Sequence, residues 1–202
     1  RATLSNRSRS LLATGKFLRL WHLPDITKGR PQRILAIPDG TLLVADTHYG
    51  RILRYDTEGN LLFQWGREGN APGELHYPVG LLALPDGSVA VSEYGGHDRI
   101  QVFSLDGVLR RAFGGQGPEP GAFQRPQNLA LSPDGTLYVA DAANQRIQAF
   151  TLDGRFLRCL PEGGLSYPYD VAVERTGNLL VLEYGGQRIS RWSPEGVPKG
   201  AW

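Results

Sequence analysis

The sequence predicts an all-β fold built from copies of one unit, because four landmarks recur in the same order four times between residues 29 and 202. Each copy has a proline, an Asp-Gly type of turn eight to nine residues later, an apolar run that ends in an acid, and an Arg-Ile pair. The arginines are 48, 47 and 42 residues apart. A period of this size is typical of blades, solenoid turns or arrays. The prolines are Pro31, Pro78, Pro126 and Pro168.

Within one copy the pattern predicts four short strands. In the third copy, apolar or β-prone runs cover residues 128–131, 137–140, 147–150 and 156–159. Asp134-Gly135 separates the first two of these runs, and Asp153-Gly154 separates the last two. Such turns are typical of β-hairpins. Helical periodicity is absent from these runs. Four antiparallel strands in about 40–50 residues make one blade of a β-propeller.

The segments between the copies carry a further pattern. Residues 66–77 and 114–125 are rich in Gly and Pro and lead directly to Pro78 and Pro126. With these segments the chain resembles the NHL repeat family, whose repeats contain the blocks "FG…G…GxF…P", "DGxxxVAD" and "NxRIQxF". The resemblance runs from Arg30 to about Gly196 and implies a propeller of four-stranded blades that normally closes as a six-bladed ring. The fourth copy departs from it at Thr176-Gly177, where the turn lacks the acid.

The repeat borders divide the single domain, residues 1–202, into about four and a half blades. Residues 1–28 align with the outer two strands of a preceding blade, and blades follow at 29–66, 67–114, 115–160 and 161–202, the last without a clear fourth strand. An open blade edge must be covered. We expect a ring from which sequence is missing. The alternatives are a strand near residues 17–21 that completes the last blade, and a partner subunit that caps it.

An acid and an arginine recur in every blade, so we expect them to serve the blade itself. The acid ends the second predicted strand and the Arg begins the third, where a carboxylate can accept loop N–H groups and pair with the guanidinium. A cation site at the pore is the alternative for these acids. The pairs are Asp46 and Arg51, Glu93 and Arg99, Asp141 and Arg146, and Glu183 and Arg188.

Residues that differ between blades are candidates for binding, and in a propeller many lie on loops around one face. Tyr and Arg are favoured at interaction hot spots, although here they could equally pack over the mouth of the channel. The predicted binding face consists of Arg30, Arg33, His48, Tyr49, Arg67, Tyr77, Tyr94, His97, Asn128, Asn144, Tyr167, Tyr169, Asp170 and Tyr184.

Catalytic motifs are absent from the sequence. There is no Gly-x-Ser-x-Gly elbow, no phosphate-binding loop and no Rossmann fingerprint. The single cysteine, Cys159, excludes an intrachain disulfide, and no apolar stretch approaches the roughly 20 residues that cross a bilayer. His48, His76 and His97 lack the short spacing of a zinc ligand pair. We therefore predict no catalytic residue, no metal and no cofactor.

The sequence favours a non-enzymatic propeller that binds protein through its loop face or serves as a subunit of a larger assembly. One alternative is a metal-dependent lyase or lactonase, with His48, His97, Asn128 and Asp170 as candidates. The other is single-stranded RNA binding, for which the net charge of +2 gives little support. The chain begins at Arg1 and contains no Met, which indicates a removed N-terminal segment or a fragment. The resemblance to exported bacterial repeat proteins predicts a periplasmic or otherwise extracytoplasmic location, with the cytoplasm as the alternative.

Overall fold

The computed structural model describes residues 7–11, 17–24, 27, 29–160 and 164–202 of the chain. Its regular structure is almost entirely β, apart from one 3₁₀ turn at Thr47–Tyr49. The strands are β1 (Arg7–Leu11), β2 (Phe17–His22), β3 (Pro31–Ala36), β4 (Leu42–Asp46), β5 (Arg51–Tyr55), β6 (Leu61–Trp65), β7 (Pro78–Ala83), β8 (Val89–Glu93), β9 (Arg99–Phe103), β10 (Leu109–Gly114), β11 (Pro126–Leu131), β12 (Leu137–Asp141), β13 (Arg146–Phe150), β14 (Phe156–Leu160), β15 (Pro168–Val173), β16 (Leu179–Glu183), β17 (Arg188–Trp192) and β18 (Pro198–Ala201).

The strands form four antiparallel sheets of four strands, each in simple sequence order. We call them the first blade (β3–β6), second blade (β7–β10), third blade (β11–β14) and fourth blade (β15–β18). The all-β class and the four-stranded blade are thus confirmed. Strands β1 and β2 pair with each other in a separate hairpin. The parts of the predicted preceding blade at residues 1–6 and 12–16 lie outside the described residues.

The fourth blade corrects one expectation, because it does have a fourth strand. Strand β18 pairs with β17, and the main chains of Ile189 and Trp202 exchange two further hydrogen bonds of 2.8 and 3.0 Å. Since β18 itself supplies this strand, residues 17–21 do not complete the blade. The sequence of β18, Pro-Lys-Gly-Ala, is exposed throughout and has no alternating apolar pattern. Backbone pairing alone forms this strand, so hydrophobic periodicity could not reveal it.

Apolar side chains fill the three spaces between consecutive blades. Leu43 and Ile52 of the first blade pack against Val91 of the second, and all three are fully buried. The second and third blades share a similar cluster, and so do the third and fourth. Burial of such side chains stabilises the fold by about 1.5–3 kcal/mol each. Each sheet is therefore held mainly by its neighbours, as a repeat that cannot bury its own face requires.

The prolines, the acids and the arginines come together at one edge of every sheet. In the first blade, Pro31 lies opposite Asp46, which in turn lies opposite Arg51. The same register occurs in the other three blades. The first strands, β3, β7, β11 and β15, lie side by side across the molecule. We call the edge formed by the proline ends, the loops between second and third strands, and the linkers the loop face.

The hairpin turns away from the loop face make a pH-dependent contribution to stability. Five turn aspartates have a pKa below the ordinary value of 3.8, mainly because a nearby Ser or Thr hydroxyl donates to the carboxylate. A lowered folded-state pKa stabilises the fold above the unfolded value, and this contribution is lost as pH falls through the folded value. The five residues are Asp39, Asp86, Asp106, Asp134 and Asp153.

We therefore expect the free energy of unfolding to be lower at about pH 3 than at about pH 6. Urea titrations at the two pH values measure this difference. A variant with Asp39→Asn and Asp134→Asn should lose less stability over the same interval, because two of the carboxylates with a lowered pKa are gone. Equal pH dependence in the variant and the unchanged protein would contradict this assignment.

Candidate functional site

The recurrent acid and arginine form an ion pair in all four blades. The Nε atom of Arg lies 2.8, 2.5, 2.8 and 2.9 Å from a carboxylate oxygen in the first to fourth blades, respectively. The four acid side chains are at most 2% exposed. Each pair also spans the second and third strands as a direct cross-strand neighbour.

These pairs also fasten the linkers to the blades. The backbone N–H groups of His76, Gln124 and Ser166 donate to the acids of the second, third and fourth blades at 2.6–2.7 Å. The guanidinium of Arg146 donates in addition to the carbonyls of Glu119 and Ala122 at 2.8 and 3.0 Å. An acid that is surrounded in this way is engaged within its own blade, so its geometry fits the structural role.

Burial affects these acids to different extents. It raises the pKa of Asp141 above its ordinary value, against the opposing hydrogen bonds from Gln124, Asn144 and Arg146. In Glu183, burial acts in the same direction, but hydrogen bonds from Arg188, Ser190 and the Ser166 backbone outweigh it and lower the pKa. The pair in the last blade is the more open of the two, because Arg188 is 42% exposed beside Glu183 whereas Arg146 is 14% exposed beside Asp141.

The residue before each of three blade prolines adopts an unusual backbone conformation. Tyr77, Arg125 and Tyr167 have φ angles of 47°, 55° and 50°, respectively. Non-glycine residues rarely occupy this left-handed region, and those that do are often found where the backbone must direct a side chain or a turn. Here the conformation places two tyrosines and one arginine at equivalent positions of the loop face.

Aromatic side chains of the first two blades form a continuous line on this face. The rings of His48 and Tyr77 are 5.5 Å apart, and those of Tyr77 and Tyr94 are 5.6 Å apart. The guanidinium of Arg125, from the linker of the third blade, lies 4.9 Å above the ring of Tyr94. Such a cation–π contact is worth about 0.5–1 kcal/mol at exposed sites. No carboxylate among the described residues forms an ion pair with Arg125.

The fourth blade contributes a second group of rings to the loop face. Tyr184 lies 6.2 Å from Tyr167 and 6.4 Å from Tyr169, measured between ring centroids. Burial raises the pKa of Tyr169, and the neighbouring Tyr94 and Tyr167 raise it further. Tyr184 is 74% exposed and Tyr169 is 40% exposed. We call Tyr77, Tyr94, Tyr167, Tyr169 and Tyr184 the tyrosine row.

Polar side chains from three first strands meet next to the tyrosine row. Nη1 of Arg33 lies 3.6 Å from Oδ2 of Asp170, and the amide nitrogen of Asn128 donates to the other oxygen of Asp170. Tyr169 and Gln32 interact through the hydroxyl and the amide oxygen at 3.3 Å. These groups line a cleft of about 40 Å³. We call Gln32, Arg33, Gln127, Asn128, Tyr169 and Asp170 the inner cluster.

Not every residue of the predicted binding face belongs to these two groups. The hydroxyl of Tyr49 bonds to Thr27 at 2.7 Å, and the guanidinium of Arg51 covers its ring at 4.4 Å. Arg67 pairs with Glu74 at 2.5 Å on a linker. The Asn144 amide donates to Asp141 and to the carbonyl of Gly117 at 2.9 and 3.0 Å, so it belongs to the acid network. Arg30 and His97 are exposed.

Two members of the inner cluster, Gln32 and Gln127, are missing from the predicted face. They directly follow a blade proline, as Tyr169 does. That equivalence is the sequence signal that could have identified them. Among the described residues there is no group of three or more His, Cys, Asp or Glu side chains that could hold a metal ion. In that part of the chain, no helix has the length and apolar character needed to span a membrane.

Comparison with known proteins supports the repeat assignment. Residues 123–150, from the linker of the third blade to the end of β13, match the model of the NHL repeat. This confirms the resemblance found in the sequence. No curated protein sequence matches the chain significantly.

Solved structures with the same fold include enzymes and a protein complex. A catalytically inactive virginiamycin B lyase from Staphylococcus aureus with quinupristin has a TM-score of 0.77 and 20% identity over 98% of this chain and 63% of its own. A streptogramin B lyase has a TM-score of 0.77 and 18% identity over 98% and 62%. A nidogen/laminin complex gives a TM-score of 0.73 and 20% identity over 94% and 68%. The chain thus spans about 63% of the lyases' length, and the likeness establishes the propeller fold.

Proposed function

We propose that this NHL-repeat protein is a non-enzymatic scaffold that binds a protein partner through its loop face. The tyrosine row is the observation that carries the proposal. The acid and the arginine recur in every blade and are engaged inside it, whereas the five tyrosines are absent from the corresponding positions of the third blade. Side chains that the repeat does not need are free to serve recognition.

The chemistry of the row suits a protein interface. Tyrosine offers a large contact area and a polar hydroxyl at a low cost in conformational entropy, and both Tyr and Arg are enriched at hot spots. Tyr184 and Tyr169 are exposed, while Arg125 adds a cationic group that no carboxylate of the described residues neutralises. The occurrence of the same fold in a nidogen/laminin complex is consistent with such a use.

The lyase alternative has its support in the shared fold. Its candidate residues are engaged differently from metal ligands, because the ring of His48 packs at a tilt against Tyr77 and the amide of Asn128 bonds to Asp170. RNA binding has less support, because Arg33 and Arg67 each pair with a carboxylate. We therefore prefer the protein-binding scaffold.

The proposal can be tested by comparing captured partners of two double variants. Tyr94→Ala with Tyr184→Ala removes two rings of the row. Phe63→Ala with Val108→Ala is the matched control, since these side chains are exposed on outer strands or turns away from the loop face. We expect the first pair to weaken binding of a stoichiometric partner at least about tenfold, and the control to retain it.

Quantitative mass spectrometry of proteins that co-purify from the source cells gives the readout, followed by titration with the purified partner. Absence of any stoichiometric partner, or equal losses in both double variants, would overturn the proposal. Turnover of a lactone or a cyclic peptide by the unchanged protein would favour the enzyme instead.

A further inference from the structure

The inner cluster contains two buried polar atoms that have no partner among the described residues. They are Nε of Arg33, which is a donor, and Oδ1 of Asn128, which is an acceptor. Asn128 as a whole is only 8% exposed. Buried polar atoms are almost always hydrogen-bonded in folded proteins, so each exception requires an explanation such as a bound molecule.

The hydrogen bonds around Arg33 and Asn128 determine which of their polar atoms can bind another molecule. Asp170 accepts from the Asn128 amide nitrogen, and its Oδ1 also accepts from the Val171 backbone at 2.8 Å. Because one N–H of the Asn128 amide donates to Asp170, the orientation of the amide is fixed and its carbonyl oxygen remains as an acceptor. The ion pair with Asp170 uses Nη1 of Arg33, which leaves the Nε–H group as the donor. Both residues line the same cleft.

The size and polarity of the cleft restrict its occupant. A volume of about 40 Å³ admits only a few heavy atoms, because one water already needs about 10–15 Å³ measured in this way. An amide group matches the free atoms, since its carbonyl can accept from Arg33 and its N–H can donate to Asn128. A carboxylate would meet the Asn128 oxygen and the charge of Asp170, and an ammonium group would meet Arg33.

We propose that the inner cluster is a carboxamide-binding site that receives an Asn or Gln side chain. The source of this side chain, a loop of the partner that lies on the tyrosine row, rests on the proposed function. Tyr169 belongs to both groups, so a chain segment in contact with the row passes directly over the cleft. The binding of a free carboxamide to the cleft does not depend on any partner.

The test uses the complete chain, labelled with ¹⁵N, and two small probes. N-acetyl-asparagine N′-methylamide presents the carboxamide, and N-acetyl-aspartate N′-methylamide is its carboxylate counterpart. We expect the asparagine probe to shift the Arg33 Nε–H resonance in a saturable way, with a dissociation constant in the millimolar range, and the aspartate probe to bind at least about tenfold more weakly.

Two arginine variants separate the site from general effects of charge. Arg33→Lys keeps the charge beside Asp170 but removes the Nε–H donor, so it should weaken the asparagine probe at least about tenfold, as read on the Asn128 side-chain amide. Arg54→Lys is the control, because Arg54 forms a comparable ion pair with Asp39 at 2.5 Å at the opposite edge of the sheet.

No saturable shift up to about 100 mM asparagine probe would mean that water alone fills the cleft, and would overturn the site. Equal shifts with both probes would overturn its selectivity for carboxamides. Failure of partner capture with a positive probe titration would reject the scaffold proposal and leave the site intact, so the two failures can be told apart.

Discussion

Replacing Asp141 by alanine is expected to lower the free energy of unfolding by about 3–5 kcal/mol. The carboxylate accepts hydrogen bonds from the backbone of Gln124 and from the side chains of Asn144, Arg146 and Gln148, at distances of 2.7–3.0 Å. Its removal leaves an arginine charge without its counter-ion at a largely buried position. The same change removes the hydrogen bond that the Gln124 backbone, in the linker of the third blade, donates to β12.

The direction of the pKa shift refines this expectation. Burial raises the pKa of Asp141, so this carboxyl binds a proton more readily in the folded state than in the unfolded chain, although it still pairs with Arg146 as a carboxylate. This shift stabilises the folded state most fully below the unfolded pKa of 3.8, and the contribution is lost as pH rises through the folded pKa. Asp141→Asn, which is neutral and similar in shape, should therefore destabilise less than Asp141→Ala at neutral pH, although it cannot accept all four bonds.

Asp134→Ala is the matched control for this experiment. Asp134 lies on an exposed turn of the same blade and accepts from Ser132 and Thr136, so its loss should cost only about 1 kcal/mol. Urea unfolding followed by tryptophan fluorescence compares the three variants. A loss in Asp141→Ala no greater than that in Asp134→Ala would show that the acid–arginine pair is dispensable for the blade.

Recurrence within one sequence explains why the acid–arginine pairs could be predicted. An element that returns at the same place in four blades must satisfy the same backbone geometry four times, and the structure places all four pairs within 2.9 Å. The same reasoning cannot predict the contacts of residues that occur in only one blade. It could nominate Tyr94 and Tyr169 for the loop face, but the distances between such residues depend on how the blades are turned relative to one another.

The left-handed backbone conformations could also not be predicted from the sequence. The positions before the arginine of the third strand carry Gly50, Asp98, Gln145 and Gln187, and all four have a positive φ between 47° and 57°. Three of them tolerate a side chain there, so the sequence alone would treat Gly50 as an ordinary member of the set. Only the surroundings show that the glycine is required.

Gly50→Ala is expected to destabilise the protein by about 2–5 kcal/mol. A Cβ atom at this position would lie 2.4 Å from the carbonyl oxygen of Leu75 and 2.7–2.8 Å from the backbone of Glu68. These are main-chain atoms of the linker to the second blade, which cannot move aside as a flexible side chain could. The left-handed backbone costs about 1–2 kcal/mol for alanine, and overpacking adds about 1–3 kcal/mol.

Gly87→Ala separates these two contributions. Gly87 has a φ of 79° on an exposed turn, and nothing lies within 4 Å of an added Cβ atom, so only the backbone cost applies. The difference between the two variants in urea unfolding therefore measures the contact between the loop of the first blade and the next linker. Equal losses in the free energy of unfolding would show that this linker moves to accommodate the added Cβ atom at little cost. A larger loss at Gly50 would show that close main-chain packing joins the first two blades at the loop face, beside the rings of His48 and Tyr77.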